Sequence, residues 1–212
     1  MNSGQFANRV QAGKKLAEYI NGLSVHADVV YALPRGGVPV AAEVAKALHT
    51  PLDIVVVKKV HHPAHPEYGV GAISELETEF IDRKRARGIG MDKVQIKEAV
   101  NQQMEELTRR VSTFKQDGGI KDLTGKSVIV VDDGIATGVT AITAALALRK
   151  RNPKTLTFAA PVCSHQSKKI LYSYYDHVIC LMEDRHLYAV GYYYRDFHQV
   201  SDEEVISCLA SA

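Results

Sequence analysis

The sequence predicts an α/β protein with a doubly wound parallel sheet, and two observations lead to this fold class. Short runs rich in β-branched residues are apolar almost throughout, which is typical of strands buried on both faces of a parallel sheet. Segments with helical periodicity alternate with these runs, in the order of βαβ units with right-handed crossovers. The predicted strands are Asp28–Leu33, Asp53–Lys58, Ser127–Asp132, Thr155–Pro161 and His177–Met182.

The composition predicts a cytoplasmic globular protein with no membrane partner. The 212 residues are 46% apolar and 24% charged, which allows a sizeable core and argues against disorder. No apolar run approaches the length of about 18 residues that a membrane span needs, and the first residues lack the apolar stretch of a signal peptide. Three cysteines without C-x-x-C spacing predict reduced thiols. With 26 basic and 24 acidic side chains, the chain has no general attraction for nucleic acid.

Helices are predicted before the first strand and after three of the strands. The opening helix spans Gln5–Asn21 and ends at Gly22, because its apolar positions follow one stripe. That stripe consists of Phe6, Val10, Gly13, Leu16 and Ile20. The helices that follow the first, third and fourth strands are predicted at Val38–Leu48, Val139–Lys150 and Gln166–Tyr175.

An insertion follows the second strand. Residues 59–71 are rich in His, Pro and Gly and predict a loop, and two strand-like segments follow at Val70–Leu76 and Glu79–Asp82. A long helix is then predicted from Asp92 to Gln116, opened by a capping box of Asp92 and Gln95 and ended by Gly118-Gly119. Its apolar positions are Ile96, Val100, Met104, Leu107, Val111 and Phe114. We predict one domain over 1–212, with a helical insertion at 83–119.

The segment Val128–Thr143 carries the clearest chemical signal. An apolar strand ends there in Asp132 and Asp133, and a loop rich in Gly and Thr leads into a helix. Ligands of open α/β sheets bind outside the carboxyl ends of the strands. The free N–H groups of the helix start, with the hydroxyls of Thr137 and Thr140, predict a cradle for a phosphate monoester. The two acids are placed to accept hydrogen bonds from the hydroxyls of the sugar that carries this phosphate.

Residues 132–140, with the sequence DDGIATGVT, resemble the phosphoribosyl pyrophosphate (PRPP) loop of the type I phosphoribosyltransferases. The resemblance is nearest to bacterial stand-alone members whose acceptor is unassigned. It implies Mg²⁺-dependent transfer of the 5-phosphoribosyl group from PRPP to a nitrogen acceptor, such as a nucleobase, with release of pyrophosphate. Asp132 and Asp133 are then catalytic residues that hold the ribose hydroxyls and the metal, directly or through water. The residues implied in PRPP binding are Gly134, Ile135, Ala136, Thr137, Gly138, Val139 and Thr140.

A second segment, Tyr31–Pro39, resembles the pyrophosphate loop of the same family. The glycines at 36 and 37 allow a close approach of the backbone, and Arg35 supplies a bidentate cation. The resemblance makes Arg35 catalytic and assigns Arg35, Gly36 and Gly37 to pyrophosphate. It also implies a cis peptide bond between Pro34 and Arg35.

The loop 59–71 corresponds in this family to a mobile lid that closes over PRPP. The resemblance implies that Lys58 and Lys59 carry positive charge to the pyrophosphate. A solvated surface loop is the alternative reading. The histidines at 61, 62 and 65 also suggest a structural metal, but prolines interrupt the segment and no regular spacing brings the three rings together.

The last part of the chain, 183–212, loosely resembles the C-terminal hood of the hypoxanthine-guanine branch. Tyr188 and Tyr192 are the candidates for stacking on an acceptor base, and packing of the hood on the sheet is the alternative role for such tyrosines. Where the purine enzymes carry a lysine after the fourth strand, this chain has Val162-Cys163-Ser164-His165. This difference argues against a 6-oxopurine acceptor.

A second class of function stays open, that of a PRPP- or nucleotide-sensing regulator that binds nucleic acid. Residues 83–87, RKRAR, are basic, and residues 83–115 hold nine basic and four acidic side chains. Such a run is usually a solvated face, and no appended DNA-binding domain is visible in the sequence. We therefore favour the enzyme, with PRPP and a small molecule as partners. A homodimer is expected by analogy with dimeric relatives.

Overall fold

The computed structural model describes residues 5–115 and 122–211, and a parallel sheet lies at its centre. In chain order the strands are β1 (Val29–Ala32), β2 (Leu52–Ile54), β3 (Val57–His62), β4 (His65–Ser74), β5 (Thr78–Ile81), β6 (Ser127–Val131), β7 (Thr155–Ser164) and β8 (His177–Asp184). The helices are α1 (Arg9–Gly22), α2 (Gly37–Leu48), α3 (Arg83–Gly88), α4 (Lys93–Phe114), α5 (Val139–Arg149), α6 (His165–Leu171) and α7 (Asp202–Ala210), with a 3₁₀ turn at Val190–Tyr193.

The predicted fold class is confirmed. Five parallel strands pair in the order β2-β1-β6-β7-β8. The residues of α1 and α2 pack in one core cluster, whereas those of α5 pack in another on the opposite side of the sheet. The strand order therefore reverses between β1 and β6, with their following helices on opposite faces. No helix among the described residues is long and apolar enough to cross the hydrocarbon layer of a membrane.

The predicted second strand, Asp53–Lys58, is divided between two sheets. Its first part is β2, which pairs in parallel with β1. The chain then turns at Val55 and Val56, where the Val56 amide donates to the Glu75 carboxylate at 2.9 Å. The second part is the start of β3, which pairs antiparallel with β4.

Residues 59–71, predicted as a loop, instead form most of an antiparallel β-hairpin. Strands β3 and β4 pair from Val57↔Ser74 to His62↔His65, and β5 adds to β4. Composition suggested a loop because histidine, proline and glycine dominate the segment. Val60 and Val70 nevertheless are fully buried in the main core, so that the base of the hairpin is held by apolar packing. The exposed turn is limited to Pro63 and Ala64.

The opening helix begins later than predicted, at Arg9, with Asn8 as its N-cap. Its buried stripe also differs, because Val10 is 41% exposed while Arg9 is only 7% exposed. The side chains that are buried on α1 are those of Arg9, Ala12, Leu16, Ala17 and Ile20. A charged residue thus stands at the head of an otherwise apolar stripe.

The long helix of the insertion is confirmed, and so is its capping box of Asp92 and Gln95. Helix α4 lies along β3 and is fixed at its end by Lys115, whose ammonium group lies 2.9 Å from Glu75 and 3.7 Å from Asp53. The side chains of these three residues are at most 10% exposed. The predicted end of the helix at Gln116 and Gly118-Gly119 lies outside the described residues.

Candidate active site

A cavity of about 520 Å³ opens at the carboxyl ends of β1 and β6, where the strand order reverses. The sequence-predicted residues that line it are Arg35, Gly36, Lys58, Lys59, Asp132, Asp133 and Thr140. Segments that are distant in sequence thus meet at one place: the loops after β1 and β6, the hairpin, and the inserted helix. This is the position at which doubly wound sheets bind their ligands.

The loop between β6 and α5 offers a row of free backbone donors. Among the described residues, none of the amides of residues 136–140 donates to a backbone or side-chain acceptor. The loop itself is held in place because the carbonyl of Ala136 accepts hydrogen bonds from Ser164 Oγ at 3.0 Å and Ser167 Oγ at 2.7 Å. Gly138 adopts a positive φ of 75° at the start of α5. An anion would meet several N–H groups and the positive end of the helix here.

The structure differs from the prediction at Ile135. Its amide donates to the Val162 carbonyl at 2.9 Å, and its carbonyl accepts from the Ser164 amide at 2.9 Å. Ile135 therefore fixes the loop to β7, and its own N–H is not available to a phosphate.

The two acids stand at the end of β6 and have different surroundings. Asp133 Oδ2 accepts from Arg9 Nε at 2.8 Å, whereas no positive side chain of the described residues forms an ion pair with Asp132. Burial, followed by the negative charge of Asp133, raises the pKa of the Asp132 carboxyl well above its ordinary value. Burial also raises the pKa of Asp133, and the ion pair with Arg9 opposes that rise. The pair is a concentrated, incompletely neutralised negative charge.

The two glycines after β1 lie so close to the end of β6 that an added Cβ atom would clash with it. A Cβ atom on Gly36 would lie 2.1 Å from Asp133 Oδ2, and one on Gly37 would lie 2.8 Å from the Val131 carbonyl oxygen. The Gly37 amide, predicted to bind pyrophosphate, donates instead to Leu33 at 3.0 Å. The glycines thus let the first loop pack closely against the second. The Pro34–Arg35 peptide bond is cis, as the family resemblance implied.

Two of the predicted pyrophosphate ligands lie beside acids from other segments. Arg35 Nη1 lies 3.3 Å from Asp202 at the start of α7, and Lys58 Nζ lies 3.7 Å from Glu106 on α4. The side chains of both cations are about one-fifth exposed and line the cavity. These pairs hold the cations at the wall of the cavity.

Arg9 is a site residue that the sequence analysis missed. Besides its contact with Asp133, its Nη1 donates to the His198 carbonyl at 2.8 Å, and its guanidinium carbon lies 3.8 Å from the centre of the Phe197 ring. A single side chain therefore joins α1, the acid pair and the hood. The available signal was an arginine in register with the buried face of a helix.

The hood contacts the site through other residues than those predicted. Tyr188 and Tyr192 are 87% and 71% exposed and are not among the residues that line the cavity. Tyr194 is buried, and its hydroxyl donates to the Asp133 carbonyl at 2.6 Å. The aromatic ring at the cavity wall is that of Phe197. An acceptor role for Tyr188 and Tyr192 stays a prediction.

The acid pair fits a hard divalent cation such as Mg²⁺. Asp132 and Asp133 supply carboxylate oxygens, the ligands that this ion prefers, and Asp132 has no protein cation paired with it among the described residues. The described residues contain no cluster of three or more His, Cys, Asp or Glu side chains of the kind that encloses a metal ion. Binding through one or two carboxylates together with substrate phosphates is the usual arrangement for Mg²⁺.

A doubly wound sheet with glycine-rich loops at its reversal point is an architecture of α/β proteins that bind phosphorylated ligands. Comparison with known proteins narrows this class to one family. The model of the phosphoribosyl transferase domain matches residues 4–195, and the chain belongs to this family of transferases. The family identified from the sequence is thereby confirmed.

Individual relatives agree with this membership. The candidate phosphoribosyl transferase Rv0571c of Mycobacterium tuberculosis H37Rv is 40% identical over 207 residues, which are 98% of this chain and 47% of the relative. The chain thus spans about half the length of this curated relative.

Solved structures share the fold. The structure of TT1426 from Thermus thermophilus is 34% identical, covers 97% of both chains and superposes with a TM-score of 0.80. The purine phosphoribosyltransferase of Pyrococcus horikoshii is 16% identical, covers 85% of this chain and 88% of its own, and has a TM-score of 0.50. At that identity the second comparison supports the fold alone.

Proposed function

We propose that this chain transfers the 5-phosphoribosyl group of PRPP to a nitrogen acceptor in a Mg²⁺-dependent reaction that releases pyrophosphate. One observation supports the proposal: the acid pair, Thr140 at the end of the loop with free amides, and the cations Arg35 and Lys58 line a single cavity. The chemistry of these groups suits the three parts of PRPP, namely a phosphate monoester, a ribose with hydroxyls, and a diphosphate.

The residues have separate tasks in this reaction. The cradle of residues 136–140 binds the 5-phosphate and fixes the position of the ribose. Asp132 and Asp133 accept hydrogen bonds from the ribose hydroxyls, and their negative charge stabilises the positive charge that develops on the ring. Arg35, Lys58 and Lys59 stabilise the negative charge that grows on the departing pyrophosphate. When bound at the acid pair, Mg²⁺ supplies a divalent positive charge for the same leaving group.

The acceptor is proposed to be a nitrogen compound other than a 6-oxopurine. Residues 162–165 lie where purine enzymes carry a lysine, and Ser164 in this segment supports the loop after β6 through its hydroxyl group. His165, the next residue, contacts Glu183. The cavity wall contributed by the hood offers the ring of Phe197 and the amide of Gln199 to an acceptor.

The proposal is tested by measuring pyrophosphate release from PRPP and Mg²⁺ with a panel of nucleobases, amines and heteroaromatic carboxylates. We expect release that depends on one class of acceptor and falls about 10²-fold in Asp132→Asn. Release no faster than in the absence of protein, with every acceptor and with PRPP bound, would show a PRPP-binding protein without transfer activity.

The regulator hypothesis is favoured by one observation, the exposure of the basic side chains of α3, which are Arg83, Lys84, Arg85 and Arg87. Retention of RNA or DNA that weakens with salt, without acceptor-dependent pyrophosphate release, would support this function. Filter binding at several salt concentrations measures it on the same preparation.

We also propose a cytoplasmic homodimer. The cysteines at 163, 180 and 208 are all free thiols, which suits a reducing compartment. Analytical ultracentrifugation determines the oligomeric state, and a monomer at micromolar concentration would contradict the dimer.

A further inference from the structure

The inserted helix α4 forms one wall of the cavity. Gln103 and Arg110, which are two helical turns apart, both line the cavity together with Lys58 of the hairpin. The buried ion pairs of Lys115 with Glu75 and Asp53 fix the helix beside β3. The side chains that α4 contributes to the cavity are therefore held in fixed positions.

The carboxylate of Glu106 on this helix forms ion pairs with three positive side chains. Arg109 donates to both oxygens of Glu106, at 2.8 and 3.0 Å. Arg110 Nε donates to Glu106 Oε1 at 3.0 Å, and Lys58 Nζ lies 3.7 Å from that same oxygen. Three cations share this one carboxylate, so the cluster carries a net positive charge.

Arg110 and Lys58 differ from Arg109 in their position. The side chains of Arg110 and Lys58 are 20% and 18% exposed and line the cavity, whereas that of Arg109 is 57% exposed and does not line it. Burial, followed by the nearby charge of Arg110, lowers the pKa of Lys58, which reflects how closely the two cations stand. Two cations held side by side and largely shielded from water are stabilised by a ligand with several negative charges.

The donors of Arg110 are only partly used. Its Nε bonds to Glu106, while its two terminal amino groups make no hydrogen bond within residues 5–115 and 122–211. Arg109, by contrast, donates from both Nε and Nη2 to Glu106. A guanidinium with free terminal amino groups can bind two oxygens of a phosphate group.

We propose that Arg110, together with Lys58, binds the pyrophosphate group of PRPP, so that the inserted helix supplies a substrate ligand. The inference rests on the proposed function, because it assigns the residue to that substrate. The pyrophosphate is favoured over an acidic acceptor because Arg110 shares one carboxylate oxygen with Lys58, which is followed in β3 by Lys59, another cation at the cavity.

The chain provides a matched control for this assignment. Arg109 and Arg110 are adjacent, lie on the same helix and bond to the same carboxylate, but only Arg110 lines the cavity. The variants Arg109→Gln and Arg110→Gln therefore remove equal charge and one partner of Glu106 each. A role limited to holding α4 on the hairpin predicts similar effects of the two changes.

The test is isothermal titration of the full chain with PRPP, inorganic pyrophosphate and ribose 5-phosphate, each in the presence of Mg²⁺. We expect Arg110→Gln to weaken the binding of PRPP and pyrophosphate by about tenfold or more, the usual effect of losing a charged hydrogen bond. Binding of ribose 5-phosphate should stay unchanged, and Arg109→Gln should stay within about twofold of the wild type for all three ligands. Arg110→Lys, which keeps the charge but loses the planar fork, should be intermediate.

Each other outcome overturns the assignment. Equal binding of PRPP by the wild type and Arg110→Gln would remove Arg110 from the pyrophosphate site while leaving the proposed function intact. Equal loss of ribose 5-phosphate binding, or a lowered thermal midpoint in both Arg110 variants, would indicate a general structural role. A wild type that binds none of the three ligands would refute the proposed function itself, and the assignment of Arg110 with it.

Discussion

The guanidinium group of Arg9 donates to the carboxylate of Asp133 at 2.8 Å across 124 residues of sequence. The side chains of both residues are less than 15% exposed. This ion pair neutralises part of the charge at the end of β6, and it fixes the orientation of one acid while Asp132 keeps no such partner among the described residues. The two acids of the motif are therefore not equivalent.

Replacing Arg9 should destabilise the fold. Arg9→Met leaves a buried carboxylate without its counterion, and we expect the free energy of unfolding to fall by about 3–5 kcal/mol. The double variant Arg9→Met/Asp133→Asn should recover part of this loss, because the uncompensated charge is gone. Urea unfolding of the four proteins measures the coupling, and strictly additive effects would contradict the ion pair.

Asp132→Asn should reduce turnover while leaving stability close to that of the wild type. The removed carboxylate has no paired cation among the described residues and repels Asp133, so the fold loses little. The loss of an electrostatic contact in the transition state commonly costs about 10²-fold in rate. Asp133→Asn is the comparator, since it breaks the pair with Arg9 and should lower turnover and stability together. Pyrophosphate release and thermal unfolding measure both quantities; loss of stability in Asp132→Asn equal to that in Asp133→Asn would contradict the distinction.

Gly36→Ala should disturb the site without disturbing the backbone conformation. The new Cβ atom would lie 2.1 Å from Asp133 Oδ2, which forces the acid to move. We expect a loss of about 1–3 kcal/mol in stability and a clear loss of PRPP affinity. Gly22→Ala is the control, because a Cβ at the end of α1 meets no atom within 4 Å. Calorimetry of folding and of PRPP binding measures the two effects, and a Gly36→Ala variant that binds PRPP normally would contradict the close approach.

Inorganic phosphate should bind at the cradle in the absence of an acceptor. In a titration followed by ¹H–¹⁵N correlation spectra, the amides of residues 136–140 should shift most, because they donate no hydrogen bond within the described structure. The amide of Ile135 should shift less, since it is bonded to Val162. Shifts confined to another helix start would contradict the location of the cradle.

Glu106 should stabilise the protein at neutral pH but not in strong acid. Hydrogen bonds from Arg109, opposed by burial and aided by Arg110, lower the pKa of Glu106 from 4.5 to about 2. A carboxylate with a lowered folded-state pKa contributes stability above its ordinary pKa, and this contribution disappears as the pH falls from 4.5 to 2. The difference in unfolding free energy between wild type and Glu106→Gln should therefore shrink over this range. Denaturant unfolding at about pH 6, 4 and 3 measures it, and a constant difference would contradict the prediction.

The sequence was sufficient to predict the parallel sheet and the two loops at its edge. The β-branched runs mark the strands. In residues 128–143 the order of strand, acids, glycines and helix predicts the local structure without knowledge of distant contacts. The row of free amides after β6 is predictable for that reason, because its donors belong to consecutive residues.

Features that depend on distant partners were beyond sequence reasoning. Arg9 looks like an ordinary helix residue until the fold brings it against Asp133 and Phe197. The hairpin resembles a loop in composition because histidines and prolines are frequent in it, and the burial of Val60 and Val70 depends on distant parts of the core. Lys58 and Lys59 consequently lie in paired strands and not in a loop.

The contacts of Arg9 also bear on the order in which the protein acquires its structure. Its carbonyl partner at His198 lies 189 residues further along the chain. During synthesis the loops after β1 and β6 leave the ribosome before the hood residues that contact Arg9, and contacts between such remote positions carry the largest entropic cost of closure. The central sheet can thus form early, whereas a finished binding cavity is among the last results of folding.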